Sequence, residues 1–228
     1  TSSETQREVL SNSQSFQQMN KTAGAILSSA YFPPIEYFRV IARVGNVFLE
    51  ANETFQKQTY RNRCKILAAD GVLSLSIPLI KGEDRSISSM KIDYSKPWLQ
   101  QHKRALISAY NSSPFFEYYQ DDVFEILDRK YETLFELNCA ILDKMLRLLG
   151  LKNNLTMTTE YLQEYPESVV DLRNTIHPKK KSNEPLAAPN IKYSDYYQVF
   201  IEKYGFVDDL SILDLLFNEG PNSISYLI

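Results

Sequence analysis

Apolar and polar positions follow two rhythms along this chain, and each predicts a different kind of element. Residues 25–30 (Ala-Ile-Leu-Ser-Ser-Ala) read as a short buried strand, ended by Pro33 and Pro34. Pro34 suits the first turn of a helix over residues 35–44, which Gly45 closes. Residues 47–51 make the next strand. Strand, loop, helix and strand in this order form a βαβ-like unit. It favours a parallel pair whose ligand mouth lies at the strand C-termini.

Period two takes over next. Residues 64–69 and 72–79 flank Asp70-Gly71, a two-residue hairpin signal, and residues 90–93 look like a further short strand. Helical spacing then dominates. Ser95-Lys96-Pro97-Trp98 opens a helix carrying Leu99, Ala105, Leu106, Ala109 and Tyr110. Ser113-Pro114 opens a short aromatic helix over 115–119, and Asp121 or Asp122 caps a long one that runs to Leu149. Residues 155–159 suit a strand, 176–189 a basic loop and 193–204 a helix. Ser211-Ile212-Leu213-Asp214 resembles a capping box at the start of a last helix. The fold class expected is α/β: a mixed sheet begun by a βαβ-like unit with an added antiparallel hairpin, followed by a helical half. Residues 1–22 read as a polar N-terminal extension, and residues 23–228 as a single domain.

Composition narrows the chemistry. The formal charge of −3 argues against a nucleic-acid binder, and no apolar run of about 18 residues is present to span a bilayer. The cytoplasm is the expected compartment. With only two His and two Cys, a zinc site would have to recruit Cys64, Cys139, His102 and His177 together, so no metal site is expected. The two Cys read as buried, reduced thiols. Only seven Gly occur and none cluster, which disfavours dinucleotide folds, phosphate loops and hydrolase elbows.

Candidate chemistry gathers just beyond the second strand. Residues 56–63 (Gln-Lys-Gln-Thr-Tyr-Arg-Asn-Arg) pack three cations and several amides into one short loop. Lys57 and Arg63 suit a phosphate or carboxylate fork, with Asn62 and Tyr60 orienting a sugar or amide. The competing account is a solvated loop whose arginines pair with nearby acids. Glu50, at the strand end, is a candidate base. His102 follows Trp98 by one helical turn: it is either packed against Trp98 or the best-placed proton shuttle. His177 adjoins Pro178 and three lysines, which suits an anion contact or a charged surface loop. Tyr31, Phe32 and Trp98 could wall a sugar ring, or simply be core.

Three stretches together resemble the WbqC-like protein family: residues 30–38 (Ala-Tyr-Phe-Pro-Pro-Ile-Glu-Tyr-Phe), residues 58–63 (Gln-Thr-Tyr-Arg-Asn-Arg), and Trp98 with His102 followed by Ala109-Tyr110 and Ser113-Pro114-Phe115-Phe116. Residues 210–218 are similar to that family's ending, so the resemblance spans roughly residues 25–228. Where family members often begin this core with Gln-Pro, this chain has Ser28-Ser29-Ala30. The resemblance implies a bacterial cytoplasmic protein associated with O-antigen or other surface-polysaccharide gene clusters, and brings no settled reaction. It raises the standing of Tyr31, Tyr60, Asn62, Arg63, Trp98 and His102 as functional residues.

Three functions compete. One is an enzyme modifying a sugar or activated sugar by acyl or aminoacyl transfer, with His102 and Glu50 as catalytic candidates. Tyr31, Lys57, Tyr60, Asn62, Arg63 and Trp98 would bind the sugar or nucleotide-sugar substrate. No nucleophile elbow is present, so transfer would be direct. The second is a nucleotidyltransferase-like domain, although the paired histidines of such enzymes are missing. The third is a non-catalytic binding or scaffold protein among polysaccharide-biosynthesis enzymes. No cofactor is specified by the sequence.

Overall fold

The computed structural model describes residues 24–152, 154–179 and 193–228. The N-terminal extension therefore lies outside the described residues, as do residues 180–189 of the basic loop. The βαβ-like unit forms as expected: β1 (Gly24–Ser28), α1 (Ile35–Arg43) and β2 (Asn46–Glu50), with the two strands paired in parallel. Every residue of β1 is buried, which suits small and aliphatic side chains covered on both faces of a sheet.

Asp70-Gly71 closes the antiparallel hairpin of β3 (Arg63–Ala68) and β4 (Gly71–Ser76). Gly71 supplies the positive φ of 108° that the turn needs. The hairpin is a two-stranded sheet of its own instead of an addition to the first. Both edges it might have joined are occupied: β5 (Asn154–Met157) lies beside β2, and β6 (Val169–Asp171) beside β1. The main sheet thus has the order β5-β2-β1-β6, with all its pairs parallel. Strand β6 was not foreseen, because three residues give too short a pattern to read. Residues 90–93 contribute only isolated bridges, Leu79 to Ile92 and Lys91 to Thr133.

Helix α2 (Trp98–Tyr110) starts where expected. The long helix to Leu149 does not exist as one element. It is two, α3 (Phe116–Asp128) and α4 (Leu134–Leu148), so Asp121 and Asp122 sit inside a helix and cap nothing. Lys130 turns the chain through the left-handed region at φ 50°. Thr133 then caps α4: its hydroxyl accepts from the Glu136 amide at 3.3 Å, and the Glu136 carboxylate accepts from the Thr133 amide at 3.1 Å. That Thr-x-x-Glu signal was in the sequence, but the apolar stripe continues on both sides of the break and hides it.

The helix over 193–204 reduces to one turn, α5 (Ile201–Tyr204). Helix α6 (Ile212–Glu219) begins at Ser211, whose hydroxyl accepts from the Leu213 amide. The expected capping box does not close, because Asp214 turns inward to accept from Tyr110 at 2.8 Å and Tyr196 at 2.6 Å. The family-like ending docks on the family-like junction. Ser211 Oγ donates to the Phe32 carbonyl, the Ile212 amide to Pro33, and the Ile35 amide to Leu210. Phe32 is fully buried at a positive φ of 38°, a conformation these contacts from α6 hold in place.

Candidate functional site

In a parallel sheet, ligands ordinarily bind beyond the strand C-termini. Here that mouth is filled by the protein's own charges. Glu50, at the end of β2 and fully buried, accepts from Arg173 at 2.9 Å, from the Thr158 hydroxyl at 2.7 Å and from the Asn52 amide at 2.8 Å. Arg173 also forks onto Asp171, at the end of β6, and its guanidinium lies 4.5 Å from the Tyr161 ring centroid. Alongside, Arg61 forks onto Glu53 at 2.8 and 2.5 Å, and both bond to Ser28 at the end of β1. The space left at Ser28, Arg61 and Arg173 is about 10 Å³, room for about one water and not for a sugar. Glu50 is thus enclosed and ion-paired, with no opening toward a ligand.

The aromatic and histidine candidates are enclosed as well. Tyr31 is fully buried, and its hydroxyl meets His102 Nδ1 at 2.9 Å. The imidazole also hydrogen-bonds the Ser76 backbone, and burial lowers its pKa to about 4. Trp98 packs edge-on against His102, with ring centroids 5.1 Å apart. Tyr60 donates to Asp209 at 3.2 Å, while its carbonyl accepts from the Tyr31 amide. Tyr31, Trp98, His102 and Tyr60 therefore form a buried ring-and-hydrogen-bond cluster that ties α2, the loop before β3 and the β1–α1 junction together.

The remaining three candidates, Lys57, Asn62 and Arg63, do converge. They line a cleft of about 510 Å³ beside the hairpin, a size suited to a small-molecule ligand. Lys81 and Arg85 line it as well, and Phe55, Ile77, Leu79 and Met90 supply apolar surface. Among the described residues no Asp or Glu lines it: Asp84, in the same loop as Arg85, instead accepts from the Ser86 amide. Lys57, Arg63, Lys81 and Arg85 make no ion pair among the described residues.

Asn62 is fixed by a reciprocal pair of bonds with Ile77. Its amide NH2 donates to the Ile77 carbonyl at 2.9 Å, and the Ile77 amide donates to the Asn62 carbonyl at 2.8 Å. The Asn62 side-chain oxygen and the Arg63 Nε are both buried without a hydrogen-bond partner among the described residues. Such orphans cost about 1–3 kcal/mol each in a structure that leaves them so. Lys81 and Arg85 escaped the sequence reading because their loop is polar throughout. Their signal was the pair of cations between Ile80 and Ile87.

Among the described residues no group of three His, Cys, Asp or Glu side chains could hold a metal ion. Cys64 and Cys139 are unpaired thiols, both held protonated by burial. None of the described helices is long and apolar enough to cross a membrane.

A model of the WbqC-like protein family matches residues 28–226. The chain belongs to the WbqC-like protein family. It is also similar to a protein of Mycobacterium tuberculosis (strain ATCC 25618 / H37Rv) named "Uncharacterized protein Rv1507c", at 26% identity over 89% of this chain and 96% of the relative. No solved structure matches significantly. In this WbqC-like protein the motif residues divide by role in the fold: Tyr31, Tyr60, Trp98 and His102 join buried elements, while Asn62 and Arg63 face the cleft.

Proposed function

We propose that this WbqC-like protein binds an activated, phosphate-bearing sugar in the cleft beside the hairpin, and serves its modification in surface-polysaccharide biosynthesis. The observation that carries this is the convergence of Lys57, Arg63, Lys81 and Arg85 on one cleft with apolar walls and no lining carboxylate among the described residues. Cations without ion-pair partners among the described residues attract a phosphate, the amide of Gln58 suits sugar hydroxyls, and Phe55 and Ile77 suit a ring face. The family resemblance supplies the polysaccharide context. No Ser, Cys or His lines the cleft among the described residues, so transfer to or from the sugar would be direct, with the protein positioning the reactants.

The burial of His102 and Glu50 favours a second reading, a binding protein that presents an activated sugar to a partner enzyme. Both readings require the same ligand. The test is a thermal-shift series on the full chain with nucleotide-diphosphate sugars, nucleoside triphosphates and neutral monosaccharides at millimolar concentration. Ligand binding raises the melting temperature by mass action. Nucleotide sugars should raise it by several degrees in wild type and not in Arg63→Ala, while neutral sugars leave it unmoved. An unmoved melting temperature with every nucleotide sugar tried sinks the proposal. A larger shift with triphosphates would point to the nucleotidyltransferase alternative.

A further inference from the structure

Arg63 belongs to two surroundings at once. One is the cleft. The other is the face of β3 that it shares with Lys65, two residues on and therefore on the same side of the strand. Lys65 Nζ donates to the Pro178 carbonyl at 2.7 Å and so pins the His177-Pro178-Lys179 segment against that face. The Lys179 amide donates to His177 Nδ1 at 3.1 Å, which leaves Nε2 to carry the ring proton when the imidazole is neutral.

Among the described residues, the charges whose field reaches the His177 ring are Lys179 from its own segment, Lys65 and Arg63 from β3, and Arg61 from the preceding loop. Of these, Arg61 is neutralised by Glu53, while Lys179, Lys65 and Arg63 make no ion pair among the described residues. The carboxylate reached through Tyr60 is Asp209, which accepts from the Tyr60 hydroxyl. Burial, and then these cations, hold the imidazole pKa below its ordinary 6.5. An imidazole so placed is neutral near pH 7, and an anion bound among the cations reverses the local field.

We propose that Arg63, Lys65, His177 and Lys179 form an oxyanion subsite continuous with the cleft through Arg63, and that His177 takes up a proton from solvent when a phosphate, sulfate or carboxylate group occupies it. The inference rests on the proposed cleft function only for the identity of the natural ligand. Its consequence is that ligand binding strengthens as pH falls through the region where His177 titrates.

Sulfate is the probe of choice because it does not itself titrate over this range. NMR of the full chain follows the two histidine ring signals against pH, with His177→Gln assigning them. In sulfate the His177 midpoint should rise above 6.5, relative to sodium chloride at equal ionic strength, and Lys65→Met or Lys179→Gln should diminish that rise. A midpoint unmoved by sulfate, or moved equally by chloride, overturns the subsite. Calorimetry with a nucleotide sugar separates the two ideas. If the sugar binds while His177 stays put, the subsite is wrong and the cleft reading stands. If sulfate moves His177 while no nucleotide sugar binds, the cleft reading is wrong and the subsite is one for simple oxyanions.

Discussion

The Tyr31 hydroxyl and His102 Nδ1 lie 2.9 Å apart in the core, each residue at most 4% exposed, and this contact joins the β1–α1 junction to helix α2. With the Ser76 backbone bonded to the ring as well, the imidazole is a neutral strut. Its pKa of about 4 lies below the ordinary 6.5, so between these values the folded state holds fewer protons than the unfolded state. Stability supplied by this site therefore rises with pH across that window, and acidification costs about 3 kcal/mol. An NMR titration should find one histidine that does not titrate until near pH 4.

Asp214 works in the opposite sense. Burial raises its pKa from 3.8 to about 6, against the opposing hydrogen bonds from Tyr196, Tyr110 and Gln198. Folded protein thus holds the extra proton between those values, and stability falls as pH rises through them. The two slopes oppose each other between about pH 4 and 6. Urea denaturation across this range should give a shallow pH dependence in wild type. His102→Gln should tilt it toward falling stability with rising pH, and Asp214→Asn toward rising stability.

Removing one partner of the Glu50–Arg173 pair leaves a buried charge. Arg173→Met should cost about 3–5 kcal/mol, as broken buried pairs do. The double variant Arg173→Met with Glu50→Gln should recover much of that loss, since the one charge left unpaired is that of the partly exposed Asp171. Denaturant unfolding measures both. If the single variant loses less than about 1 kcal/mol, the mouth is more open to water than its 10 Å³ void implies.

Thr133→Ala removes half of the capping box that separates α3 from α4. The loss should be about 1 kcal/mol, with Thr133→Ser close to neutral. Continuing α3 into α4 is not an available escape, because Lys91 bridges to Thr133 and the Leu134 amide bonds to the Met90 carbonyl. Circular dichroism of the variant should accordingly show no gain in helix.

In the cleft, Arg63→Ala should weaken nucleotide-sugar binding by about tenfold or more, the scale of a charge-assisted hydrogen bond. Arg63→Lys should recover only part, because an ammonium lacks the planar fork. Calorimetry decides: equal affinity for the Lys variant and wild type would mean that charge alone, and not geometry, is read at this position.

What the sequence by itself determined was local. Small aliphatic runs and prolines set β1, α1 and β2, Asp70-Gly71 set the hairpin, and Trp98–Tyr110 set α2, because each depends on the side chains and backbone preferences of neighbouring residues. The loop of residues 56–63 was also legible as a concentration of charge, in that cations and amides crowded beyond a strand have few local partners. Only the tertiary structure decided which of them would be left unpaired. Arg61 found Glu53, and Glu50 found Arg173 at long range, closing the sheet mouth, while Arg63, Lys81 and Arg85 came to line one open cleft. His102 and Tyr31 carry polar atoms that suit catalysis equally well in a list of residues. Their burial, a property of how the helices and the hairpin pack, turned them into struts. Charge and hydrogen-bonding capacity are written in the side chain, but whether they face water, a ligand or each other is fixed by contacts between residues far apart in the chain.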